Sequence, residues 1–174
     1  MPALFAALAK RGPAIDLNLR TILPQTALAD LDALAALGIT TIINLRREGA
    51  ATWRAEGERA RRLGMRFYHF PFYGIFGART AFLDAILREL ARPENGVILV
   101  HCRNGQDRTS LVVGLHNVLH GGRSPAESWA LDFVSHGHDP DNPAPPWRPR
   151  VRRFFYGNVR RTFLRHLKKR AARG

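Results

Sequence analysis

Cysteine is nearly absent from this chain. Cys102 stands alone among 174 residues. That excludes an internal disulfide, a resolving thiol for an oxidised Cys102, and a four-cysteine zinc site. Long apolar runs are also missing. The one near the start, Leu4 to Leu8, is too short for a bilayer and has no basic flank before it, so neither a membrane span nor a signal peptide is expected. Acid is missing from one region above all. Residues 148–173 hold eleven Lys or Arg and no Asp or Glu, whereas residues 1–147 hold 16 basic and 14 acidic side chains. Eleven of the thirteen net positive charges therefore lie in the C-terminal segment.

What remains is ordinary for a soluble globular protein, with 45% apolar and 24% charged residues and enough chain for one core. A cytoplasmic protein is expected. Helical and strand-like patterns alternate. Ala27 to Leu37 reads as a helix between Thr26 as N-cap and Gly38 as stop, and Ile39 to Asn44 as a buried strand. Ala50 to Leu63 reads as an exposed helix, Phe67 to Phe70 as a strand, and Thr80 to Ala91 as a helix closed by Pro93. Val97 to Val100 is a strand, and Arg108 to His120 a helix. Ser124-Pro125-Ala126-Glu127 is a capping box that opens a helix to about Val134. Such alternation implies an α/β fold with a central, mainly parallel sheet flanked by helices. The expected organisation is one globular domain over 1–147, with a possible arm at 1–13, and a basic amphipathic helix over 148–174.

The chemistry concentrates in one stretch: His101-Cys102-Arg103-Asn104-Gly105-Gln106-Asp107-Arg108-Thr109-Ser110. A strand, a tight loop and a helix in that order form a nest of backbone N–H groups at the positive end of a helix, suited to an anion. A thiol on its floor sits in a positive field, which favours a nucleophilic sulfur. Arg108 offers a planar fork for two phosphate oxygens. Thr109 can donate its hydroxyl to the sulfur, and Gly105 lets the loop turn where a side chain would meet the anion.

This run resembles the signature of the cysteine-dependent protein tyrosine and dual-specificity phosphatases: His-Cys, five residues, then Arg followed by Ser or Thr. It is most similar to small bacterial dual-specificity-like phosphatases, in which the loop reads His-Cys-x-x-Gly-x-Asp-Arg-Thr-Gly. Asn44-Leu45-Arg46 and the Leu-Val-Val run after the loop extend the likeness over about residues 18–135, and Ser110 departs from it. The resemblance implies a phosphotyrosine-phosphatase-like fold and Cys102 as a nucleophile that forms a thiophosphate. Arg108, Arg103, Asn104, Gly105, Gln106 and Thr109 would bind the phosphate group, and His101 would hold the loop by hydrogen bonds. No metal or cofactor is called for, because backbone amides and Arg108 neutralise the transferring charge. The remaining histidines, at 69, 116, 120, 136, 138 and 166, show no metal-ligand spacing and read as core or solvated residues.

The general acid is not where the resemblance places it. Residues 71–79, the loop that should carry an Asp, contain no carboxylate. Myotubularin-like lipid phosphatases carry an Asp just before the Arg, which implies Asp107 as the acid. Asp107 could equally brace the loop by accepting backbone N–H bonds. Asp84, Asp139 and Asp141 are the other candidates. Three functions stay open: a protein tyrosine or dual-specificity phosphatase; a phosphoinositide phosphatase, favoured by Asp107, Arg103 and the basic tail; and a phosphate-binding pseudophosphatase. Arg46 is a further candidate near the pocket. The apolar positions 151, 154, 155, 159, 163 and 167 fall near one helical face. They fit a helix packed on the domain, or else an interfacial helix on anionic lipid with Trp147, Phe154 and Phe155 at the boundary. Nucleic acid ranks last, because no base-reading motif accompanies the charge.

Overall fold

Four short runs of mostly apolar and β-branched residues pair into one sheet, parallel throughout. In the computed structural model, which describes residues 20–23, 30–47, 49–73, 78–103, 105, 107–138 and 149–173, the strands are β1 (Arg20–Leu23), β2 (Thr41–Asn44), β3 (Arg66–His69) and β4 (Ile98–His101). The side chains of residues 20–23, 30 and 149–157 fall outside that description, as do the proposed arm at 1–13 and the Thr26 cap. The strand order is β1-β4-β2-β3. Parallel neighbours require crossovers rather than tight turns. Helices α1 (Asp30–Ala36), α2 (Ala50–Arg62) and α3 (Thr80–Ala91) lie in the intervening chain. The fold is thus α/β, as the alternation implies. Strand β1 is an addition to the sequence reading, a four-residue run set directly before Pro24.

All four positions of β2 and all four of β4 are buried, which is why both read as continuous rather than alternating runs. Their register sets Ile42 beside Leu99 and Asn44 beside His101. Leu31 and Leu34 of α1 and Ala60 of α2 close over Ile42 and Leu99, together with Ile39 and Met65. Each fully buried Leu or Ile there contributes about 1.5–3 kcal/mol relative to exposure. The sheet with α1 and α2 makes one compact unit; residues 72–91 and the chain from Gln106 onward make a second. The chain passes from the first unit to the second between Gly105 and Gln106, inside the Cys-to-Arg stretch.

In the second unit α4 (Arg108–Leu119) packs against α3, α5 (Pro125–Ser128), a π-helical turn at Trp129–Phe133, and α6 (Pro149–Ala171). Every residue of α4 from Thr109 to His116 is buried, so it is a core helix rather than an amphipathic one. Gly114 permits the close approach: a Cβ there would lie 2.5 Å from the Phe133 ring and 2.9 Å from Ser128 Oγ. The capping box forms as read. Ser124 Oγ accepts from the Glu127 N–H at 3.2 Å, and Glu127 Oε2 accepts from the Ser124 N–H at 2.9 Å. Ser124's side-chain and backbone bonds, in that order, hold the Glu127 carboxyl below the usual carboxylate range.

The helix expected from this box to Val134 is not uniform. It is α-helical only to Ser128, widens to a π turn, and tightens to a 3-10 turn at Val134–His136. The wide turn accompanies two tertiary demands. Asp132 accepts from Asn117 Nδ2 at 2.9 Å and from Arg123 Nη1 at 2.6 Å. Phe133 meets Trp129 and Phe163, with ring centroids 4.5 and 5.1 Å away. In α6, Val159, Thr162, Phe163 and His166 are buried at helical spacing, while Arg160, Arg161, Arg165, Lys168 and Lys169 are exposed. Trp147 and the side chains of Phe154 and Phe155 lie outside the described residues.

Candidate active site

Strand β4 delivers Cys102. The strand ends at His101, and Cys102 follows with 2% of its surface exposed. Arg103 is exposed beside it, and Gly105 adopts φ 73°, a conformation that L side chains rarely take. Asn104 and Gln106, two of the expected phosphate-binding positions, lie outside the described residues.

His101 is tied from two sides. Its Nε2 lies 2.7 Å from Glu56 Oε1, with both side chains buried, and its Nδ1 lies 3.2 Å from the Cys102 carbonyl. Glu56 comes from α2, and its other oxygen accepts from Asn44 Nδ2 at 2.6 Å. Asn44 Oδ1 in turn accepts from the Arg46 N–H at 2.7 Å. One buried carboxylate therefore links the ends of β2 and β4, the neighbouring strands whose continuations are Asn44-Leu45-Arg46 and His101-Cys102. The Leu45 N–H donates to the His101 carbonyl at 2.9 Å and continues the ladder. Glu56 was not among the sequence candidates. Its only local signal is that it shares a face of α2 with Ala60, both buried there.

Arg46 follows β2 by two residues. Its guanidinium lies beside Gly49, where a Cβ would stand 3.2 Å from Nη2. Its carbonyl lies 2.6 Å from His69 Nε2, and His69 stacks on Trp53 with centroids 3.9 Å apart.

Asp107 and Arg108 open α4 in the second unit. Asp107 is the N-cap residue, yet its side chain makes no bond to the helix it caps. Its Oδ1 instead lies 2.7 Å from His138 Nδ1. Arg108 Nη1 donates to the Phe72 carbonyl at 3.4 Å. Thr109 is fully buried, and its hydroxyl has no hydrogen-bond partner among the described residues. His138, read as an ordinary core or solvated histidine, proves to be the partner of a motif residue. Nothing in its local sequence signals this.

The other acid candidates divide. Asp139 and Asp141 lie outside the described residues. Asp84, on α3, has its Oδ1 3.3 Å from His166 Nε2 and 3.9 Å from Arg170 Nε, both of α6. Burial pushes His166 below the ordinary imidazole range; Asp84 opposes the shift, and Arg170, Arg173 and Arg165 reinforce it. Among the described residues no three His, Cys, Asp or Glu side chains group as a metal would require, and no helix is long and apolar enough to cross a membrane.

A parallel sheet whose strand ends in a buried cysteine, with an arginine opening the helix six residues on, defines the phosphotyrosine-phosphatase-like class. The chain belongs to the PTP-SAK family, the DSP-PTPase phosphatase domain of the Swiss Army Knife proteins, whose model matches residues 17–173. Solved structures share the fold. Tk-PTP in its active form is 21% identical, with TM-score 0.56 over 90% of this chain and 92% of its own. TpbA of P. aeruginosa, in a cysteine-to-serine form bound to pTyr, is 18% identical, with TM-score 0.57 over 86% of each chain. PTPMT1 is 14% identical, with TM-score 0.58 over 90% of this chain and 96% of its own. No curated protein matches the chain.

Proposed function

We propose that the protein is a cysteine-dependent phosphomonoester phosphatase acting on phosphotyrosine or a related protein phosphate. The observation that carries the reading is the buried Cys102 at the end of β4, followed through a left-handed Gly105 by Arg108 at the head of α4. Cys102 sulfur attacks phosphorus and the ester P–O bond breaks. Asp107 protonates the departing oxygen. Water then attacks the thiophosphate: its hydroxyl joins phosphorus, its proton returns to Asp107, the S–P bond breaks, and inorganic phosphate leaves with the Cys102 sulfur restored. Arg108 and loop amides stabilise the charge of the transferring group, so the step needs no metal. The phosphotyrosine bound to the related TpbA supports the substrate class.

The test is hydrolysis of p-nitrophenyl phosphate in the presence of a chelator. Cys102→Ser should abolish turnover and keep phosphate binding. Arg108→Ala should lose both, with turnover down about 10²–10³-fold or more, as for other preorganised charge stabilisers. Turnover surviving in Cys102→Ser sinks the mechanism. Phosphate binding without turnover in the unaltered chain favours a pseudophosphatase. A second reading, a membrane-peripheral enzyme acting on phosphoinositides, draws on the exposed Arg103 and the exposed cations of α6. Release of phosphate from lipid headgroups in preference to phosphopeptides selects it.

A further inference from the structure

An aspartate at a helix N-terminus ordinarily accepts from the N–H of the second or third helical residue. Asp107 makes no such bond. Its Oδ1 is instead held 2.7 Å from His138 Nδ1, the nitrogen that donates, since a carboxylate can only accept. His138 is fully buried, whereas 36% of the Asp107 side chain is exposed, so the histidine is the anchor and the carboxylate is what it holds. The anchoring is aromatic. The imidazole stands edge-on to Trp129 and Phe133, with centroids 5.3 and 5.7 Å away. Its backbone N–H donates to the Phe133 carbonyl at 3.0 Å, just after Gly137 turns the chain at φ 82°.

The diversion has a consequence for anions. The N–H groups that an N-cap carboxylate takes are the same ones a phosphate takes at a helix N-terminus. A carboxylate seated on them would compete for the donors and repel the ligand as well. Thr109, the second residue of the helix, adds a buried hydroxyl with no hydrogen-bond partner among the described residues, a polar group removed from water ahead of any ligand. We propose that His138 is a positioning residue that holds the Asp107 carboxylate off the first turn of α4, so that its own N-cap does not compete with substrate phosphate for that turn. The inference rests on the reading that this loop binds phosphate.

The experiment measures the dissociation constant of inorganic phosphate by calorimetry on the full chain, alongside KM and kcat. His138→Phe keeps an aromatic ring against Trp129 and Phe133 and removes the donor. It should weaken phosphate about 2- to 30-fold, the range spanned by an aspartate cap, and raise KM by a similar factor. His138→Asn, whose amide nitrogen falls near the Nδ1 position, should lose far less. Adding Asp107→Ala to His138→Phe should restore phosphate binding, because no carboxylate is left to take the cap. Unchanged phosphate binding in His138→Phe overturns the proposal, as does a loss that Asp107→Ala fails to restore. Should His138→Phe not fold, His138→Gln, with its amide at the far end of the ring position, carries the same comparison. If the unaltered chain binds no phosphate, the phosphate-loop reading itself is wrong. That outcome is distinct from binding that His138 does not influence.

Discussion

Glu56 and His101 lie 2.7 Å apart, and neither side chain reaches solvent. The same carboxylate accepts from Asn44, so Glu56→Ala would strand two buried polar groups at once. Removing one partner of a buried pair costs about 3–5 kcal/mol. The expected result is a loss of that size in urea unfolding, with turnover reduced as the His-Cys turn loses its brace. A Glu56→Ala chain as stable as the parent would show that the network holds nothing together.

If Asp107 protonates the leaving oxygen, Asp107→Asn should slow alkyl phosphates far more than nitrophenyl phosphate. General acid catalysis contributes about 10²–10⁴-fold, and little of it is needed when the leaving group is stable as an anion. Equal slowing of both substrates means that Asp107 only braces the loop or tunes phosphate binding.

Stability should fall in acid through His166. Its folded-state proton affinity is depressed by burial, so the unfolded chain binds the proton more readily. Stability contributed by the neutral imidazole is present above the unfolded value of about 6.5 and declines as pH drops below it. Urea unfolding of the parent and of His166→Asn between neutral and mildly acidic pH checks this. The variant should show a flatter profile, and an identical slope in both chains would refute the assignment.

The exposed cations of α6 should bring the protein to anionic surfaces. Each basic residue near such a surface contributes about 1 kcal/mol, and the attraction falls with salt. Replacing Arg161, Lys168 and Lys169 with Gln removes exposed charge and leaves in place buried Val159 and Phe163, Arg160 over the Trp129 ring, and the Arg165 bond to the Ala78 carbonyl. Co-sedimentation with anionic vesicles at low salt should be strong for the parent, weak for the variant, and weak for both with neutral vesicles. A parent chain that ignores anionic vesicles excludes the membrane reading.

Much of this protein is legible in its sequence, because much of it is local. Helix α3 has the bounds its apolar spacing and Pro93 mark, and the Ser124 box needs only residues three apart. The alternation that defines an α/β fold, the Cys102-to-Arg108 spacing, and the concentration of charge after residue 147 are likewise properties of the chain read in order. Tertiary structure decided the rest, because those features join residues that carry no mark of each other. Strand β4 enters between β1 and β2, an order that local propensity does not encode. Glu56 reads as a solvated charge on a helix until its face proves buried against Asn44 and His101. The turn after Ser128 is wide where Asp132 meets Asn117 and Phe133 meets Phe163. His138, 31 residues from Asp107, meets it only because the aromatic cluster of Trp129 and Phe133 holds the imidazole there. A motif can specify which atoms react, but the partners that aim those atoms come from packing, which favours whichever distant side chain fills the space and satisfies the buried polar group.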